Sequence, residues 1–104
     1  MPFSQSGQND EIVNSTYGSK GLAVTDAADT LAQVAGTTMS KRQIVTVTNN
    51  GPNEVFYGPV GSALADRDKL VKGQFMSMPF GDCLNVAFKC AAGKSATIIV
   101  QEAA

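Results

Sequence analysis

The chain has 104 residues, with eight Lys plus Arg against nine Asp plus Glu, a formal net charge of −1, and no histidine or tryptophan. One domain is expected at that length, and scattered charge of both signs leaves no electrostatic footprint for nucleic acid or an anionic membrane. The absence of histidine removes Ser-His-acid and Cys-His catalysis, most zinc sites and the copper sites of small β-proteins.

Size scaling for 10.8 kDa gives a folded surface of roughly 5,500 Å² against about 15,700 Å² unfolded, enough to bury a real core. A hydrophobic share of 43% with ten glycines favours a thin, β-rich core over a thick helical one.

Residues 1–20, "MPFSQSGQNDEIVNSTYGSK", are rich in Ser, Gln and Asn, and after Met1 and Pro2 carry apolar side chains only at intervals, at Phe3, Ile12, Val13 and Tyr17. Such a stretch cannot bury enough surface alone to offset its ordering entropy. It is a tail, or an arm lying on another subunit. Neither a signal peptide nor a membrane span is expected: no basic start precedes an apolar run, and the longest aliphatic run is Ile98–Val100.

From Gly21 to Thr38, Ala27, Leu31 and Val34 have helical spacing and Asp26 could cap a short helix. The flanking glycines and the alternation of Leu22 with Val24 favour a strand over 21–25, then an irregular connection anchored by Leu31. In "RQIVTVTN", Val45 and Val47 share one face, with Ile44, Thr46 and Thr48 on the other. "EVFYGP" puts Val55 and Tyr57 together. Between these runs "NNGPN" reads as the bend of a hairpin, since Asn-Gly supplies positive φ.

"VGSALADRDKLVKG" is polar, a long loop or second bend with Leu64 and Leu70 as anchors. "QFMSMPF" places Met76, Met78 and Phe80 on one face, and Pro79 marks an edge strand or its end. "CLNVAFKC" alternates cleanly, with Leu84, Val86, Phe88 and Cys90 on one side, and Val86 and Phe88 are the positions expected to tolerate polar substitution least. "SATIIVQE" closes with Ala96, Ile98 and Val100 inward. Five or six short strands separated by turns predict an all-β domain over 21–104, a small antiparallel β-sandwich or jelly-roll-like barrel with an extended N-terminal arm over 1–20.

Little in the sequence can carry chemistry. Were 83–90 one strand, Cys83 and Cys90 would lie roughly 23 Å apart at about 3.3 Å per residue, against the 7 Å or so that a disulfide allows. Two free thiols, one buried and one semi-exposed, are expected, as in a reducing cytosol. The sequon Asn14-Ser15-Thr16 then reads as chance. "GKS" at 93–95 lacks the preceding glycine of a phosphate-binding loop, having Phe88 there, and sits between strands instead of opening a helix. Asp66 and Asp68 in "DRD" lack the other ligands of a calcium loop and read as solvated charges around Arg67, as does Lys41–Arg42. Phe56, Tyr57 and Phe75 are the only clustered aromatics, each read as core before stacking platform. No catalytic, cofactor-binding or metal residue is assigned, and no enzyme is expected.

In order, "RQIVTVTNNG", "EVFYG", "LVKGQFMSM", "LNVAF" and "ATIIVQE" resemble the pattern of a family of small bacteriophage virion proteins of the capsid decoration, or cement, type. The likeness covers roughly the last 60 residues. It implies a β-sandwich, jelly-roll-like subunit made in the bacterial cytoplasm and placed on the outer capsid surface. Its partner would be the major capsid protein or another virion protein, with itself as a homo-oligomer, often a trimer. On that reading the amino-terminal segment is an arm crossing a neighbouring subunit, with Phe3, Ile12, Val13 and Tyr17 as its interface anchors. The alternative is a tail- or neck-associated sandwich that binds a receptor or carbohydrate.

Overall fold

The computed structural model describes residues 17–104, which form eight strands and one short 3₁₀ turn. The strands are β1 (Tyr17–Val24), β2 (Thr30–Leu31), β3 (Ile44–Pro52), β4 (Val55–Gly58), β5 (Asp68–Leu70), β6 (Phe75–Met78), β7 (Ala87–Lys89) and β8 (Ala96–Ala103). The 3₁₀ turn spans Leu64–Asp66. Two four-stranded antiparallel sheets result, ordered β1-β8-β3-β6 (sheet I) and β2-β7-β4-β5 (sheet II). The expected all-β antiparallel sandwich is what the chain forms.

Period-2 alternation turns one face of each sheet inward. Val24, Val45, Val47, Val55, Phe88, Cys90, Ile98 and Val100 are wholly buried between the sheets. Each aliphatic or Phe side chain so buried contributes about 1.5–3 kcal/mol. Met76, Met78 and Phe80 pack against this core from one side, as their shared face predicts, and β6 is an edge strand of sheet I.

The bend at "NNGPN" is not a hairpin. Strand β3 is central in sheet I, with β8 on one edge and β6 on the other, so no edge is left for β4. The chain instead crosses to sheet II. Asn49 directs the crossing from inside, fully buried on the core side of β3. Its Oδ1 accepts from Gly51 N at 2.7 Å, while Nδ2 donates to Asn53 O at 2.9 Å and Leu70 O at 2.7 Å. Gly51 takes φ +84°, before a cis Gly51–Pro52 bond. The positive φ demanded by Asn-Gly is present, but it serves an arch between sheets.

Other boundaries differ in smaller ways. The strand expected from Gly21 begins at Tyr17, which lies opposite Ala103. No helix forms over 26–35, where bends surround β2. The polar stretch after β4 holds the 3₁₀ turn and β5, anchored by buried Leu70. Leu84 is 56% exposed, because β7 starts only at Ala87 and the carbonyls of Gly81 and Leu84 turn instead toward the Arg42 guanidinium.

Arg42 and Arg67, both read as solvated, are buried. Arg42 Nη1 meets Glu102 Oε2 at 2.8 Å, and its other donors reach the carbonyls of Ala32, Phe80, Gly81 and Leu84. Glu102 in turn accepts from the N–H groups of Val34 and Met39. Arg67 lays its stem over Gly58, where a Cβ would come within 3.1 Å of Arg67 Cγ. Its Nη2 donates to Asp29 Oδ2, and its Nη1 lies 2.9 Å from Asp29 Oδ1, close as an ion pair but not aligned for a hydrogen bond.

Candidate interaction surface

Among the described residues no three Cys, Asp or Glu side chains converge as metal ligands, and no helix is long and apolar enough to cross a membrane. Gly93 N, inside "GKS", donates to Asp26 Oδ2 at 2.7 Å within a tight strand-to-strand turn. A carboxylate therefore occupies the place a phosphate would need. Cys83 is an exposed free thiol and Cys90 a buried one. Burial pushes the Cys90 thiol up, with Asp26 adding to the effect, so it stays protonated and unreactive.

The three clustered aromatics point in three directions. Tyr57 faces inward, its ring 5.9 Å from that of Phe88 and tilted by 32°. Phe56 faces outward on sheet II, opposite Lys69 on one side and Lys89 on the other. Phe75, expected in the core, is 69% exposed on the outside of sheet I. Tyr57 and Phe75 nonetheless both border one open hollow, with Lys69, Leu70 and Gln74.

Two surfaces stand out by geometry. One is a cleft of about 400 Å³ where the sandwich opens beside β5 and β6. Tyr57, Met78, Phe80, Leu84 and Val86 give it apolar walls, with Asp66, Asp68 and Asn85 as polar groups. Its size suits a small ligand. The sequence hid it, because Leu84 alternates as a core residue and lines the cleft only through the turn around Arg42.

The other is the outer face of sheet I. Cross-strand partners share a face, so the register lays out its rows. Tyr17, Ala103 and Ile44 form one. Ser19, Gln101, Thr46 and Ser77 form the next. Gly21, Ile99, Thr48 and Phe75 form the third. Ala23 with Thr97, and Asn50, complete the strands' outward positions. No Lys, Arg, Asp or Glu occurs among these positions. Sheet II differs, carrying Lys69 and Lys89 beside Phe56.

Tyr17 therefore stands on this outer face, 64% exposed, with its hydroxyl accepting from Gln101 Nε2 at 2.7 Å. Phe3, Ile12 and Val13, the other expected anchors, lie outside the described residues. The uncharged face itself was legible in the alternation of β3 and β8, but its extent needed the register that joins four strands distant in sequence.

The fold and these surfaces define a small two-sheet antiparallel β-sandwich with an uncharged outer face. Compared with protein-family models, with curated proteins and with solved structures, the chain shows no match.

Proposed function

We propose that the protein is a non-enzymatic structural component of a bacteriophage virion, a capsid decoration or cement protein that braces adjacent subunits of the major capsid protein. The observation that carries this reading is the strand wiring. Strands pair 1 with 8, 2 with 7, 3 with 6 and 4 with 5, as though one long hairpin had been rolled over itself, the scheme of a jelly roll. The resemblance of the last 60 residues or so implies that architecture.

The work proposed is mechanical and needs no cofactor, nucleic acid or membrane. A rigid sandwich that bridges two shell subunits adds its interface free energy to what separation must overcome, and a standard contact buries about 1,600 Å² in total. Repeated copies, assembled as a homo-oligomer with a trimer favoured, would multiply that effect on the outer capsid surface.

The test is add-back to capsids stripped of the protein. Co-sedimentation with the shells and a raised disruption temperature are expected; failure to bind intact shells overturns the reading. The cleft favours a second reading, a tail- or neck-associated module that binds a receptor or carbohydrate. Glycan binding lost in Tyr57→Ala but kept in Phe56→Ala would support it, since Tyr57 lines the cleft and Phe56 faces the other way.

A further inference from the structure

We infer that the outer face of sheet I is the surface by which copies of this chain contact one another. The inference rests on the homo-oligomer part of the proposed function and not on its virion partner. Three observations carry it.

The first is charge. About a quarter to a third of a solvated protein surface is Lys, Arg, Asp or Glu, and the exposed side of an antiparallel sheet is ordinarily polar. Here four strands present no charge at all outward, whereas the outside of sheet II is charged. Symmetry supplies the reason. Near the axis of a homo-oligomer each residue meets its own copy or a close neighbour of it, so any charge there meets a like charge. Close to that axis, a face that packs on itself gains from being free of them. A face for a different partner has no such restriction, and gains on-rate and selectivity from complementary charge.

The second is apolar exposure. Tyr17, Ile44 and Phe75 are 64%, 40% and 69% exposed, and all three project from this face. With Ile99 they frame the sheet at two of its corners and across its middle. Scattered exposed apolar residues are ordinary, whereas several on one uncharged face mark a contact.

The third is that four of the polar side chains on the face already pair with one another. Gln101 donates to the Tyr17 hydroxyl at 2.7 Å, and Thr46 Oγ1 and Ser77 Oγ lie 2.8 Å apart. Covering them with a second sheet therefore leaves fewer unmet donors and acceptors, which is where burial of polar surface normally loses free energy. Sheet-on-sheet packing at an angle of about 30° suits such a surface.

The four strands cover roughly 14 Å by 25 Å between outer strand axes, small beside the 800 Å² or so per partner of a standard interface. The assembly is thus expected to dissociate on dilution. The experiment is sedimentation velocity and light-scattering mass across a dilution series of the full chain. The wild type should reach a dimer or trimer of the 10.8 kDa chain at the concentrated end. Thr48→Lys and Ile44→Lys, in different rows, should each weaken association by about 100-fold or more through facing like charges. Lys69→Glu, on sheet II, should leave it unchanged. Far-UV circular dichroism checks that each variant keeps its sheet content, and Thr46→Glu replaces any that does not.

A wild type that stays monomeric up to its solubility limit overturns self-association altogether. An oligomer that Thr48→Lys and Ile44→Lys leave intact overturns the assignment of this face while the homo-oligomer stands. Shell binding in the add-back assay is scored separately, so loss of the virion reading is distinguishable from both.

Discussion

Glu102 is one of the largest fully buried side chains in the protein, and alternation alone puts it there. Ala96, Ile98 and Val100 face inward, so the next inward position on β8 is Glu102. A carboxylate in such a place needs partners, and Arg42 with the N–H groups of Val34 and Met39 provides them. Removing one member of a buried pair costs about 3–5 kcal/mol, against a total of about 5–15 kcal/mol for a typical domain. Glu102→Leu is therefore expected to lose about that much in urea unfolding. Buried pairs can often be exchanged for apolar residues at little loss, but Arg42 also serves four backbone carbonyls. Arg42→Met combined with Glu102→Leu should consequently remain less stable than wild type. A double variant as stable as the wild type would show that those carbonyls do not depend on Arg42.

At the scale of elements, strand existence and inward faces were legible in the sequence because period 2 is a local property. Val45 with Val47, Met76 with Met78, and Ile98 with Val100 needed no partner to identify them. Pairing was not legible. The short link between β3 and β4 suggested a hairpin, yet β3 is enclosed by β6 and β8, which lie 23 and 44 residues beyond its end. The burial of Arg42 and Arg67 was hidden for the same reason, since Glu102 and Asp29 are distant in the chain.

The β3–β4 arch gives the consequence to measure. Asn49 holds three backbone groups with one amide, each of which would be left without that partner in Asn49→Ala. A loss of about 2–4 kcal/mol is expected, seen as a lower urea midpoint with an unchanged slope. Asn49→Asp keeps the acceptor for Gly51 N but turns the donors to Asn53 O and Leu70 O into acceptors, so it should be no better. If Asn49→Ala unfolds at the wild-type midpoint, the amide does not hold the arch.

Among the described residues, two kinds of tie join the molecule. Apolar burial holds sheet against sheet, and ion pairs fasten the connecting segments, Arg42 with Glu102 around 32–42 and 80–84, Arg67 with Asp29 between the turn after β1 and the segment 59–67. The second pair makes stability depend on pH. The Arg67 hydrogen bond, together with the N–H of Gly61, holds the Asp29 carboxyl below the usual carboxylate range despite the opposing effect of burial. A carboxyl whose pKa is lower folded than unfolded binds fewer protons in the folded chain, so it stabilises at neutral pH. That contribution is fully present above the unfolded value, about 3.9, and is lost as pH falls through the folded one. Asp82, whose carboxylate accepts from Lys41 N at 2.9 Å, is shifted the same way. Being exposed, it should contribute less. Asp29→Asn should therefore lower stability at pH 7 and bring the variant closer to wild type as the solution is acidified below about pH 4. Urea midpoints measured at both pH values check this: a deficit in the Asp29→Asn variant that is equal at the two would mean that the carboxylate's charge, as distinct from its shape, does not fasten this segment.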